Sequence, residues 1–554
     1  MNQPRSEHPE PQWQRANWQN LNGIWEFGYT KRFGKKILVP FCPESWLSGI
    51  GNTKFIKNAW YRRSIDATEA QLRDRVILHF GAADYFTTVF VNGRKAGTHE
   101  GGYTSFSFDI TAYLRAGENE LTVHCEDDTR QPLYFSGKQS EKPKPYGCMY
   151  TRTTGIWQTV WLEYVPRAYL LSAEYEPDAQ RGSLQITARL FGQAQGECIA
   201  TALWEGRVVG RAAAEPEGGA VRLTLPLSET HPWEVGKGGL YDLVLQYGDD
   251  EVESYFGLRS LRLDGCRFLI NGKSVFQRLI LDQGFYPEGI YTAPAEEDLL
   301  RDIRLGMDAG FNGARLHQKI FEPRYLYHCD KLGYLAWGEF PSWGGDLSKP
   351  ELLERFLPQW TEAIRRDRNH PAIVGWCPFN ETHDGQTAQT LREAYAATKR
   401  LDPGRPCIDA SGYVHVVTDI FCVHDYEQDP VRFTENYADF AKGGNGFHDS
   451  ERGCGYLPGQ PMFVSEYGGI AWPSNTWGWG YGDTPEDEAA FRIRYEALTM
   501  ALLRHPRMFA FCYTQLTDVE QERNGIYTYE RGTKVEPAFF REINTRKAAI
   551  EEEA

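Results

Sequence analysis

No Cys-x-x-Cys pair occurs among the 11 cysteines of this 554-residue chain, and their number is odd. That excludes zinc ribbons and dithiol redox motifs, and scattered cysteines such as Cys42, Cys125 and Cys266 read as reduced core thiols of a cytosolic protein. The opening stretch Met1-Asn-Gln-Pro-Arg-Ser-Glu-His8 has no apolar segment of signal-peptide type. No apolar run approaches the roughly 20 residues that span a bilayer. Positive charge is short: 60 basic against 75 acidic residues, a net −15, which opposes nucleic acid and anionic membranes as partners. Internal repeats and low-complexity tracts are also missing. What is abundant is aromatic surface, 14% of residues with 16 Trp and 30 Tyr, suited to large cores or to stacking on sugar rings. Composition therefore points to a multidomain protein in the cytoplasm, with a small-molecule partner and no nucleic acid or membrane. It is compatible with a homo-oligomer.

Residues 1–166 read as an all-β sandwich. Short alternating runs such as Thr87-Thr-Val-Phe-Val91 and Leu121-Thr-Val-His124 are separated by turn signals such as Asn92-Gly93. Residues 167–260 repeat the pattern at the size of one immunoglobulin-like β-sandwich and carry few groups suited to catalysis. From 261 to 554 strands alternate with helices. Strands are expected at Val275–Leu281, Asn312–Leu316, Tyr334–Phe340, Ile373–Phe379, Pro406–Asp409, Asp419–His424, Pro461–Ser465 and Phe509–Thr514. Helices fall between most of them, with an irregular connection between the fifth and sixth. Eight strands in this length predict a (β/α)8 TIM barrel.

In such a barrel chemistry sits where strands end, and acids end several of them: Asp282 the first, Glu339 the third, Asn380-Glu381 the fourth, Glu466 the seventh. A strand-end glutamate is ordinarily solvated or ion-paired. Two carboxylates facing one cavity, however, are what glycoside hydrolysis needs, one to donate a proton and one to attack or to activate water. The fourth and seventh strands lie across a barrel from each other, so Glu381 and Glu466 are the candidate pair. Asp384 is the alternative acid in the same loop, and Glu339 reads as an ion-pair partner beneath the site. Asn380-Glu-Thr382 also fits a glycosylation sequon, set aside for want of a secretory signal. Polar groups for a sugar would come from Arg315, His317, His424, Tyr426 and Gln515, and aromatic faces from Trp472, Trp477 and Trp479.

These residues resemble glycoside hydrolase family 2, the β-galactosidases, β-glucuronidases and β-mannosidases. Asn369-His-Pro-Ala-Ile-Val-Gly-Trp-Cys-Pro-Phe-Asn-Glu381 is similar to that family's acid/base motif, and Val464-Ser-Glu-Tyr-Gly-Gly469 to its nucleophile motif. Leu21-Asn-Gly-Ile-Trp-Glu-Phe27 and Gly155-Ile-Trp-Gln-Thr-Val-Trp-Leu-Glu163 resemble its sugar-binding domain. The resemblance implies a retaining exo-glycosidase working by double displacement without a cofactor. Glu381 would be the acid/base, Glu466 the nucleophile, Asn380 the ligand of the sugar 2-hydroxyl, Tyr426 a hydrogen-bond donor to the nucleophile and Arg315 the cation that keeps it ionised. Tyr150, next to Met149 where long β-galactosidases have an aspartate, joins the substrate-binding candidates with Asp282 and Trp472. The metal ligands of those enzymes do not carry over, so no metal is expected. The uronate-binding Asn-x-Lys motif is absent, since Glu522-Arg523-Asn524 precedes Gly525. A β-galactoside, another neutral β-pyranoside and a furanoside (a galactofuranoside or α-L-arabinofuranoside) all remain open. So do transglycosylation and a non-enzymatic sugar-binding protein.

Overall fold

Strict alternation builds the first sandwich. Along Phe86–Val91, Thr87, Val89 and Val91 turn inward while their neighbours are half exposed, the period-2 pattern of a strand with one face on a core. A four-stranded and a six-stranded sheet close over that core, which holds Trp25, Phe27, Tyr61, Leu78, Phe80 and Leu162. The computed structural model describes residues 3–194, 196–383, 388–450, 452–473 and 478–551. Asp384 and Trp477 lie outside them.

The second sandwich pairs a three-stranded sheet (Tyr169–Asp178, Ser183–Phe191, Ala220–Pro226) with a four-stranded one (Cys198–Trp204, Arg207–Ala214, Tyr241–Tyr247, Asp250–Phe256). Arg15 ties the two sandwiches, its guanidinium 2.8 Å from Asp250 and 3.1 Å from Glu163. All 11 cysteines are free thiols.

The barrel follows. Its strands are Gln277–Asp282, Gly313–Leu316, Leu335–Glu339, Ile373–Cys377 continued by Phe379–Thr382, Ala410–Tyr413, Phe421–Asp425, Met462–Gly468 and Met508–Thr514. All the pairings between them are parallel. The chain is thus a jelly-roll sandwich, an immunoglobulin-like sandwich and a TIM barrel in sequence.

Three local differences from the expected pattern have physical causes. A small antiparallel sheet (Leu261–Asp264, Arg267–Ile270, Lys273–Ser274) precedes the first barrel strand. Its Phe268 stacks on Phe509 at the start of the eighth strand, which places it at the N-terminal end of the barrel. The fourth strand breaks in two at Pro378, which has no N–H to donate to a ladder. The fifth strand is Ala410–Tyr413, not Pro406–Asp409. Within Pro406–Asp409 the chain makes one parallel bridge, Cys407 to Trp376 of the fourth strand, and Asp409 then turns its carboxylate onto the amides of Val416 and Val417, 2.6 and 2.9 Å away, which interrupts the ladder. No helix links the fifth and sixth strands.

Candidate active site

Adjacent residues of a strand point to opposite faces, yet Asn380 and Glu381 both reach the mouth of the barrel. The backbone explains this. Glu381 sits at φ +49° between the paired Asn380–Ser411 and Thr382–Tyr413. A left-handed conformation is uncommon for a residue with a Cβ, and it turns two successive side chains toward one space.

On the seventh strand Glu466 stands opposite His424 of the sixth. One side-chain oxygen of Glu381, one of Glu466 and a ring nitrogen of His424 lie within 4.8 Å of one another. His424 Nδ1 is 2.9 Å from Glu381 Oε1, and its Nε2 is 3.0 Å from Ser411 Oγ and 3.4 Å from Glu466 Oε1. Burial works against a charged imidazole here, but the Glu466 and Glu381 carboxylates outweigh it and raise its pKa. Glu381 keeps 18% of its side chain exposed, Glu466 only 6%.

Arg315, 1% exposed, organises the floor. Its Nη1 donates to Glu466 Oε1 at 2.7 Å and to Ser465 O at 3.2 Å. Its Nε donates to Glu339 Oε2 and its Nη2 to Asn380 Oδ1, both at 2.6 Å. Glu339 is thereby ion-paired beneath the site. Arg315 also uses up the Asn380 carbonyl oxygen, which fixes the amide orientation and directs its NH2 elsewhere. Tyr426 OH donates to Glu466 Oε2 at 2.5 Å, and its ring stacks on Tyr481 at 3.4 Å. Burial alone would push the Glu466 pKa up, but the surrounding cations, His424 and Arg315 foremost, lower it to about 2. His317 Nδ1 lies 3.1 Å from Arg315 Nη2 and 3.0 Å from Glu339 Oε1. Burial and the charges of Lys138 and Arg315 hold its pKa well below the ordinary value, so the imidazole is neutral. Glu381, His424 and Glu466 are a donor set a divalent cation could use. The Arg315 guanidinium on the same Glu466 carboxylate opposes one.

Three residues proposed from sequence face other tasks. Both Asp282 oxygens are engaged, Oδ1 by the Gly284 amide at 2.8 Å and Oδ2 by Tyr325 OH at 3.0 Å, so Asp282 braces the first strand. Trp472 packs on Phe491 of the helix Glu488–Leu503. Trp479 donates its indole N–H to Gly147 O at 2.7 Å. Gln515 and Tyr150 belong to a buried chain beside the site: Gln283 Nε2 donates to Gln515 Oε1 at 2.5 Å and to Tyr150 OH at 2.8 Å, and Tyr150 OH donates to Glu522. Arg523 turns to Asp518, 3.5 Å away.

Sequence reasoning missed three groups. Trp343 Nε1 donates to Asn380 O at 3.2 Å, Lys138 lies over the Trp343 ring at 4.7 Å, and Glu522 is buried next to both Tyr150 and Asn524. The Gly344-Gly345 pair after Trp343 was the one local signal, since glycine marks close backbone approach. At Gly344 an added Cβ would lie 2.1 Å from Ser136 Oγ of the first sandwich.

Residues 50–163 match the family model described as glycosyl hydrolases family 2, sugar binding domain, and residues 267–477 the family's TIM barrel domain. Together they cover more than half the chain. The β-glucuronidase of Sus scrofa is 26% identical over 487 residues, 73% of this chain and 71% of that protein. The β-galactosidase of Thermoanaerobacter pseudethanolicus is 26% identical over 412 residues, 70% of this chain and 53% of that protein. A relative from Formosa agariphila is matched over 40% of its length, so the chain spans about half the length of several curated relatives. Among solved structures, a Lactobacillus rhamnosus β-glucuronidase superimposes with a TM-score of 0.80 at 19% identity over 100% of both chains. A Bifidobacterium dentium β-glucuronidase does so at 0.80 and 20% over 98% of each. At these identities the superpositions speak for the fold. The two matched domains, in the order and fold described above, make this chain a member of glycoside hydrolase family 2.

Proposed function

We propose that the protein is a retaining exo-β-glycosidase acting on neutral, β-galactoside-type substrates. The observation that carries this reading is the spacing of the two glutamates, with an oxygen of each inside 4.8 Å. Carboxyls about 5–5.5 Å apart suit a covalent intermediate, whereas inversion needs about 6.5–9.5 Å to admit a water between them. Glu466, held ionised, attacks the anomeric carbon. The glycosidic C–O bond breaks and the proton on Glu381 passes to the leaving oxygen. Water then attacks the glycosyl ester, Glu381 takes its proton, and Glu466 leaves as carboxylate.

The Glu381–His424 pair supports both halves of this cycle. While Glu466 is charged, its field raises the His424 pKa and keeps the imidazole protonated beside Glu381. Once Glu466 is an ester, that part of the field on His424 is gone. The NH2 of Asn380 and Nε2 of His317 would hold sugar hydroxyls.

The test is a panel of nitrophenyl pyranosides and furanosides, with the first-formed sugar anomer followed by NMR. A β-substrate is expected to give the β-anomer first. The α-anomer first would sink the double displacement, and a clear furanoside preference would move the substrate class. Methanol added as acceptor separates hydrolysis from transfer.

The pH profile supplies a second check. Glu466 ionises near 2 in the folded protein, against 4.5 ordinarily. Its contribution to stability is therefore complete above about pH 4.5 and is lost as pH falls toward 2. Between those values kcat/KM should show no limb belonging to the nucleophile. An acid limb centred near 4.5, in protein still folded by circular dichroism, would contradict the Arg315–Tyr426 clamp.

A further inference from the structure

Lys138 is an anomaly in the first sandwich. It is 7% exposed, and its Nζ lies over the Trp343 ring, 4.7 Å away. A lysine with a buried stem carries three N–H donors that a ligand can use. Its backbone is fixed from both sides. Tyr150 N donates to Lys138 O at 2.7 Å, while the amides of Ser136 and Gly137 donate to Trp343 O at 2.8 and 3.1 Å. Gly137, at φ +55°, approaches so near the barrel that an added Cβ would lie 2.5 Å from Gln318 O. The loop is thus docked on the barrel mouth with the lysine aimed into it.

Its Nζ over the Trp343 ring, whose Nε1 is 3.2 Å from Asn380 O, sets the ammonium beside the strand that carries Asn380 and Glu381. Burial works against the ammonium, but Cys148, Glu522, Glu466 and Glu381 together raise its pKa, so it stays protonated. Glu466 and Glu381 are the reacting pair. Glu522, buried and among the charges acting on Lys138, accepts from Asn524 Nδ2 at 3.0 Å through Oε1 and from Tyr150 OH through Oε2. Each oxygen retains a lone pair.

Resting on the glycosidase reading above, we infer that Lys138 is a glycone-binding residue: its ammonium and the Glu522 carboxylate together bind hydroxyl groups of a neutral sugar, which makes the active site a joint product of the first sandwich and the barrel. A hydroxyl suits both groups at once, accepting from Nζ and donating to Glu522. A substrate carboxylate suits them poorly. It would enter beside Glu381, Glu466 and Glu522, while Arg315, the other fixed cation, is spent on Glu339, Glu466 and Asn380. Trp343, under the lysine stem and bonded to Asn380 O, links this subsite to the acid/base strand.

The experiment compares Lys138→Met and Lys138→Gln with wild type on an aryl β-galactoside, its monodeoxy analogues and the matching aryl glucuronide. A charge-assisted hydrogen bond lost in the transition state lowers kcat/KM about 10- to 100-fold, and both variants should show this. Melting temperature should fall modestly at most, because the surrounding acidic groups that raise the lysine pKa lose a favourable charge. One deoxy position should cost wild type as much as the substitution does, and cost the variants less than about threefold. Variants within threefold of wild type, or a deoxy series that is additive with them at every position, overturn the inference. So does a wild type that prefers the glucuronide and loses that preference in the variants, since the ammonium would then read a carboxylate. If neither variant folds, a wild-type deoxy series in which no position exceeds threefold overturns it equally. If wild type cleaves no glycoside, the glycosidase reading fails, and binding of D-galactono-1,5-lactone, followed by tryptophan fluorescence, decides the lysine: equal Kd for wild type and Lys138→Met overturns the inference.

Discussion

Glu466→Ala and Glu466→Gln are both expected to lower kcat by about 10⁴- to 10⁶-fold on any substrate, activated or not. Loss of a covalent nucleophile has effects of this size, and no neighbour can replace it. Glu339 is turned away into its pair with Arg315, and Glu381 is held by His424. The two variants differ in stability, which helps to read them. Alanine leaves Arg315 with Glu339, Asn380 and Ser465 O but removes one buried partner, and breaking a buried pair outright costs about 3–5 kcal/mol. Glutamine keeps the volume and can still accept from Arg315 through its one oxygen while its NH2 turns to Tyr426 OH, so it should melt nearer to wild type. Inactivation common to both, with only the alanine variant destabilised, isolates chemistry from folding. A glutamine variant retaining more than about 1% of activity would remove Glu466 from the nucleophile's role.

Part of this site was legible because it obeys local rules. A strand ending on Asn380-Glu381 and another ending on Glu466 announce themselves against apolar runs, and barrel topology then places the fourth and seventh strands across from each other. What the one-dimensional reading could not supply was direction. Asp282 ends a strand as abruptly as Glu466 does, yet Tyr325 and the Gly284 amide claim its oxygens. Three tryptophans in one loop suggested a sugar platform, but Trp472 packs on Phe491. The aromatic group that does reach Asn380 is Trp343, from a different loop. The hidden parts are those made by distant contacts. Tyr150 and Glu522 are 372 positions apart, and the loop holding Lys138 is seated on the barrel by main-chain bonds to Trp343 that no residue pattern encodes. Likewise the fifth strand begins four residues later than expected, because the ladder that starts with the Cys407–Trp376 bridge is interrupted where Asp409 turns onto the Val416 and Val417 amides.

Arg315 shows how these pieces cooperate. One guanidinium holds the Glu466 carboxylate ionised and fixes the amide orientation of Asn380. Each is pre-set before a ligand arrives, which is the condition for electrostatic stabilisation without reorganisation during reaction.

Glu381→Ala should behave differently from the Glu466 variants, and the difference is diagnostic. Proton donation matters when the leaving group is a poor one, so an alkyl or sugar aglycone should lose about 10²- to 10⁴-fold in kcat/KM. A dinitrophenyl aglycone leaves without help, and its kcat/KM should stay within about tenfold of wild type. Its kcat should still fall, because the glycosyl ester on Glu466 now lacks a base to activate water and accumulates. Azide needs no base. It can occupy the space vacated by the glutamate on the solvent-facing side, where Glu381 is 18% exposed against 6% for Glu466. Added azide is therefore expected to restore kcat and to yield a glycosyl azide of the same anomeric configuration as the substrate, since the second displacement repeats the first inversion. Equal losses for good and poor leaving groups would deny Glu381 the acid's role. A glycosyl azide of opposite configuration would mean that azide attacks the substrate directly, as it does when the nucleophile rather than the acid/base is missing, and the two glutamates would have to exchange roles.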